Sequence, residues 1–162
     1  MQPEAIFFEA SDWVPNNPNF PALIYKTVLP DGGSEAFEQV FEKNGWTGIW
    51  RNGVFDYQHY HSGAHEVLGV GRGNATLLIG GPGGKQISVS AGDCLVLPVG
   101  TGHKNQGCSD DFEVVGAYPS GQHADIITSS ADTNAIAKIR DLPRPDTDPI
   151  MGLDGGLVEI WR

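Results

Sequence analysis

The sequence predicts an all-β protein, a sandwich or barrel of short strands with one or two short helices at its periphery. Two observations lead there. The 162 residues include 22 glycines and 11 prolines, which cut the chain into segments mostly too short for helices. Between Trp46 and Tyr118 these segments are rich in strand formers, evenly spaced and joined by Gly-rich turns, the pattern of sandwiches and barrels.

Taken in order, Ala5–Glu9 and Ala22–Leu29 read as strands, the second ended by the turn cluster Pro30-Asp31-Gly32-Gly33. Ser34 is placed to cap a short helix running to Lys43. Phe37, Val40 and Phe41 give that helix an apolar face at i, i+3, i+4, and Asn44-Gly45 stops it. The expected barrel strands are Thr47–Arg51, Val54–His61, Glu66–Val70, Ala75–Ile79, Gln86–Ser90, Cys94–Leu97 and Phe112–Tyr118. Gly80-Gly81-Pro82-Gly83-Gly84 lacks the Gly-Lys-Ser/Thr ending of a phosphate-binding loop and is a turn. Gly69-Val70-Gly71-Arg72-Gly73 opens no helix and is not a dinucleotide fingerprint. A second helix is expected over Thr133–Arg140, an extended Pro/Asp-rich stretch over Leu142–Asp148, and a short strand over Leu157–Trp161. No repeat is legible, so residues 1–162 read as one domain. Its parts are the N-terminal strands and short helix (1–45), the barrel (46–120), and a helix and tail (121–162).

Charge limits the partners. Twenty acidic residues against ten basic give a net charge of −10 with no Lys/Arg cluster, so nucleic acid and anionic membrane are excluded as expected partners. The N-terminus has no basic-then-apolar leader, and no apolar run reaches membrane-spanning length. A cytoplasmic protein is expected, with Cys94 and Cys108 as free thiols.

Four of the five histidines fall between Gly53 and His103, together with Glu66. His59 and His61 are two apart, so on a strand both face one side, along with Phe55 and Tyr57, while Gln58 and Tyr60 face the other. Glu66 opens the next strand after the small-residue corner Ser62-Gly63-Ala64, and His65 should point away from it. Glu66 is therefore the expected ligand, with His65 as the alternative because corners distort alternation. Imidazoles with one carboxylate suit a divalent transition ion such as iron, manganese, nickel, copper or zinc.

Two spacings in this window resemble a known family. Gly53, five residues, His59-Tyr60-His61, four residues, Glu66, six residues, Gly73 resembles the first cupin motif. Gly92, five residues, Pro98-Val99-Gly100, two residues, His103 resembles the second. Asn105 lies two residues after His103, where the motif's asparagine lies four after its histidine. The segments His65–Val70, His103–Asn105, Val115–Pro119, the Leu142–Pro149 tail and Trp161 are further similar to the YjlB-like bacterial cupins. The resemblance implies a double-stranded β-helix (cupin jelly roll) with His59, His61, Glu66 and His103 around one metal inside the barrel.

Four ligands on a six-coordinate ion leave positions open for a small-molecule substrate, whereas a structural zinc site closes at four. The expected function is a metal-dependent enzyme of oxygenase or isomerase type. The alternative is a non-catalytic cupin that binds or senses a small ligand, for which no effector segment is legible. Phe55, Tyr57, Leu68, Leu77, Ile79 and Tyr118 are the expected pocket residues by alternation, and Tyr57 would bring a polar hydroxyl. Exposed sheet edges and an apolar C-terminus predict a homodimer.

Overall fold

In the computed structural model, which describes residues 2–162, the six-stranded sheet forms the frame. The strands are β1 (Glu4–Ile6), β2 (Ala22–Tyr25), β3 (Trp46–Asn52), β4 (Glu66–Arg72), β5 (Asn74–Ile79), β6 (Lys85–Ser90), β7 (Cys94–Leu97), β8 (His103–Cys108) and β9 (Glu113–Pro119). Three helices accompany them: α1 (Gly33–Lys43), α2 (Thr133–Asp141) and α3 (Leu157–Ile160). The large sheet runs β1-β2-β7-β4-β9-β3 and the small one β6-β5-β8, with every pairing antiparallel. From β4 the chain crosses to the β5–β6 hairpin of the small sheet, returns to β7, crosses again to β8 and returns to β9, which is the double-stranded β-helix that the sequence led us to expect.

Alternation sorts the side chains into two cores. Ala22, Ile24, Leu68, Val70, Leu95, Leu97 and Val114 face the small sheet and meet Ala75, Leu77, Ile79, Ile87 and Val89. Their alternate neighbours, Leu23, Tyr25, Val67, Cys94, Val96, Val115 and Ala117, form the outer core with Phe37 and Phe41 of α1, Trp46, Leu157 and Trp161. The large sheet is thus buried on both faces, and its central strands read as continuous apolar runs. Gly69 makes room for α1, because a side chain there would overlap the Phe37 ring.

Several boundaries differ from expectation, each for a local reason. The first strand is only Glu4–Ile6, and the second stops at Tyr25, where Lys26 and Thr27 turn to bind the Asp93 carboxylate. Ser34 does not cap α1: Gly32 is the N-cap, and the Ser34 hydroxyl donates to Glu113 (2.7 Å). Strand β8 has no apolar alternation, since Lys104 and Gln106 face outward, and was not expected. The expected strand Leu157–Trp161 is the helical turn α3, closed by Trp161 N–H donating to Leu157 O at 2.8 Å. Leu157, Ile160 and Trp161 also satisfy helical i, i+3, i+4 spacing, and a five-residue apolar run does not distinguish the two periods. Both cysteines are free, Cys94 buried and Cys108 exposed. No helix among the described residues is long and apolar enough to cross a membrane.

Trp161 closes the outer core. It is fully buried, stacks on Phe20 (centroids 4.8 Å apart, planes within 10°) and donates its indole N–H to Pro21 O at 2.9 Å. Trp161→Ala should lower unfolding stability by about 3–5 kcal/mol, read as a shift in the urea midpoint. A loss under about 1 kcal/mol would be the cost of a surface side chain and would contradict this packing.

Candidate metal centre and its cavity

The site lies where the irregular segment 53–61 crosses the end of the small sheet. The expected strand Val54–His61 makes no regular ladder. Its backbone pairs singly with β8, through Asn105 N–H to Phe55 O (2.9 Å) and reciprocal bonds between His59 and His103. On its other side, Tyr60 and Ile127 exchange two bonds (3.0 and 3.1 Å). The alternation survives without the ladder. His59 and His61 face the barrel interior, while Tyr60 packs outward with Val99 and Ile139.

Glu66 is the first residue of β4 and shares its inward face with Leu68 and Val70. His103 is the first residue of β8. These placements bring three imidazoles and one carboxylate together, all nearly inaccessible to solvent. One ring nitrogen from each of His59, His61 and His103 lies within 4.8 Å of the others. Glu66 Oε1 is 3.3 Å from Nε2 of both His61 and His103.

The outer nitrogens fix the tautomers. Nδ1 of His59 meets Tyr57 O at 3.0 Å, Nδ1 of His103 meets Thr101 O at 3.0 Å, and Nδ1 of His61 meets Asp125 O. A carbonyl only accepts, so each Nδ1 donates, and each ring turns its Nε2 toward the centre, as a lone pair whenever the ring is neutral. A proton on His61 Nε2 joins it to Glu66 Oε1 at 3.3 Å, and with that proton given up the three imidazoles and the carboxylate are a donor set that suits a divalent transition ion.

The ionisation pattern follows from burial and mutual charge. Burial, reinforced by the neighbouring His103, pulls the His59 pKa down to about 3. Burial alone would push Glu66 up and His61 down. Their attraction for each other and their hydrogen bond win, so Glu66 lies below the usual carboxylate range and His61 above the usual imidazole range. Burial, followed by the Glu66 charge, raises the Tyr118 phenol.

Above the centre is a cavity of ≈ 360 Å³. Of the expected pocket residues, Phe55, Leu68 and Tyr118 line it. Leu77 and Ile79 do not, because they are packed into the inner core. Tyr57 does not line it either. Its ring stacks on Phe55 at 4.8 Å and is 42% exposed. Asn105 takes no part, its side chain accepting from Gly107 N–H instead.

Sequence reasoning missed Trp50, Val54 and Ile126 in the wall. Alternation in β3 could have found Trp50, whereas nothing in the sequence marks the loop that carries Ile126. Trp50 donates its indole N–H to the Tyr118 hydroxyl at 2.9 Å and lies flat over Gly116, where any side chain would overlap the ring. Asp125 was also missed. Its carboxylate accepts from the Ser62 and Gly63 amides (2.6 and 3.2 Å) and the Ser62 hydroxyl, while its carbonyl holds His61.

His65 lies outside the site. It is buried on the opposite side of the chain from Glu66, where Nε2 donates to Pro143 O (2.9 Å) and Nδ1 accepts from Val99 N–H (3.0 Å).

No protein-family model matches the chain. A Bacillus subtilis protein, YjlB, described as uncharacterised, is 39% identical over 160 residues, covering 98% of this chain and 96% of the relative. Among solved structures, a DUF861 family protein from Thermotoga maritima aligns with 20% identity and a TM-score of 0.38, over 59% of this chain and 96% of its own. Acireductone dioxygenase from Bacillus anthracis, crystallised with a cadmium ion in its active centre, aligns with 17% identity and a TM-score of 0.40, over 67% and 78%. Likenesses of that size leave the chemistry of those proteins their own.

The burial of His65 generates a pH prediction. Burial lowers its pKa to about 4 from an ordinary 6.5, so between those values the unfolded chain binds a proton that the native state refuses. Stability is therefore complete above pH 6.5 and declines as pH falls toward 4, by about 3 kcal/mol from this residue. In His65→Gln the urea midpoint should change less between neutral pH and about 4.5 than in the parent protein. Parallel pH profiles would remove His65 as the cause.

Proposed function

The chain belongs to the YjlB-like group of the cupins, and from that premise we propose that it is a metal-dependent small-molecule enzyme of the oxygenase or isomerase type. His59, His61, Glu66 and His103 would hold one divalent transition ion. The observation that carries the proposal is the outward tethering of all three Nδ1 atoms to backbone carbonyls, which turns the three inner ring nitrogens toward one another, with Glu66 Oε1 3.3 Å from two of them.

An ion in this position supplies Lewis-acid or redox chemistry to a substrate beside it. The chain's own residues do the rest. Burial excludes bulk water from the ligand set. Trp50 holds the Tyr118 hydroxyl in the cavity wall, where it is a fixed hydrogen-bonding group for substrate. Phe55 and Leu68 provide apolar surface. Opening onto a cavity of ≈ 360 Å³ favours an enzyme over a closed structural zinc site, which completes four ligands and admits no substrate.

His59→Ala and His61→Ala should purify folded, with thermal melting still cooperative, but depleted of metal. Affinity should fall by more than the ~10–100-fold that the loss of an outer hydrogen-bond partner costs. Elemental mass spectrometry on untagged protein reads this directly, and full metal occupancy in both variants would refute the ligand assignment. Oxygen-uptake and isomerase screens on the loaded parent protein test catalysis. A redox-inert metal with no turnover would instead identify a binding module.

A further inference from the structure

The cavity that serves the proposed site is unusual in its charge. Among the described residues, its wall contains no lysine or arginine, and its only carboxylate is Glu66, already engaged by His61 and His103. The nearest basic side chains are committed elsewhere. Arg51 follows Trp50 in β3 and therefore points to the opposite face, where it pairs with Glu38 (2.6 Å) and Glu113 (3.8 Å). Lys104 follows inward-facing His103 and likewise points away. The whole chain carries a net charge of −10, so its long-range field also repels anions. A carboxylate or phosphate entering this cavity would lose its water without meeting a lysine or arginine, and the His61 imidazole is already engaged by Glu66.

What the wall does offer is aromatic and apolar surface. Phe55, Tyr57 and Ile126 are three of the six large hydrophobic side chains left exposed on the described surface, at 44%, 42% and 53%. Phe55 and Ile126 line the cavity, and Tyr57 extends Phe55 as a stacked pair, with planes within 15°. Clustering of exposed apolar groups at one mouth marks a binding site rather than scattered surface hydrophobics. Deeper in, Trp50 and Leu68 continue the apolar wall, and the uncharged polar side chains beside them are Tyr118, its hydroxyl accepting from the Trp50 indole, and Asn52, whose Oδ1 accepts from Gly53 N–H.

We propose that the ligand of this cavity is a small, uncharged, planar aromatic compound bearing a hydroxyl, a phenol or aryl alcohol, and not a carboxylate or phosphate. Its ring continues the Phe55–Tyr57 stack, and its hydroxyl reaches toward Tyr118 and the imidazole cluster. The inference rests on this cavity being the substrate site of the proposed enzyme, and the selectivity it states is that of the protein wall with no ion bound.

The test is calorimetric titration of the full chain, stripped of metal by a chelator, near neutral pH with the matched pair 2-naphthol and 2-naphthoate, and with inorganic phosphate. Naphthol should bind at least about tenfold more tightly than naphthoate, since the anion is desolvated without a partner. Phosphate should not bind measurably. Phe55→Ala should weaken naphthol about fivefold or more, and Val54→Arg, which puts a cation in the wall, should reverse the order of the pair. Naphthoate or phosphate binding as tightly as naphthol, or no naphthol binding at all, overturns the proposal. Metal content measured before chelation separates the two readings. Naphthol selectivity in a protein that never held metal would sink the enzyme's metal centre and keep the aromatic pocket. A metal-loaded protein indifferent to naphthol would do the reverse.

Discussion

Glu66 places an ionised carboxylate inside an apolar sandwich, and a charge there must be matched by fixed partners or neutralised. The partners come from two elements. His103 arrives on β8 of the facing sheet, and His61 and His59 on the segment that crosses the barrel end. The carboxylate is the costly member, and His61 and His103 offset its burial. His59 shows the cost, with burial holding its pKa at about 3. The cluster is stable only as a set, and the set leaves a convergent array of ring nitrogens.

Holding such a set requires a stiff frame, and the large sheet is stiffened from outside. Its outer face is covered by α1 and the C-terminal tail, joined by a buried latch. Asp148 accepts from the Tyr25 hydroxyl and from the amides of Ile150, Met151 and Leu157. That single carboxylate turns the tail back onto β2 and seats Leu157 and Trp161 in the outer core. Strand β4, which carries Glu66, is then clamped between two apolar layers, so the carboxylate's position is set by packing on both faces of its strand.

How much of this was legible depends on whether the signal was local. The strand set of the large sheet, α1 and α2 follow from apolar periodicity and turn residues. Cys94–Leu97 matches its expected limits, and Thr133–Arg140 ends one residue early. The gathering of His59, His61, Glu66 and His103 also follows from two-residue alternation and the motif spacings. What stayed hidden depends on long-range contacts. Strand β8 has a polar sequence and exists because β5 pairs with it. Leu77 and Ile79 face inward as alternation requires, but only the depth of the core decides that they stop short of the cavity. The turn α3 follows from Asp148 capping Leu157 N–H from nine residues away, which no local window contains.

Asp125 shows the same limit most sharply. His59 and His103 each tie Nδ1 to the carbonyl two residues earlier in their own chain segment, a local arrangement. His61 instead uses the carbonyl of Asp125, 64 residues later. The Asp125 carboxylate in turn grips Ser62 and Gly63, immediately beyond His61. On either side of Asp125, Ala124 and Ile126 form part of the cavity wall. The backbone that aims one imidazole therefore also shapes the pocket. Orientation of His61 and the contour of the cavity wall are set by one loop and cannot vary independently, a coupling that alternation and motif spacing do not encode.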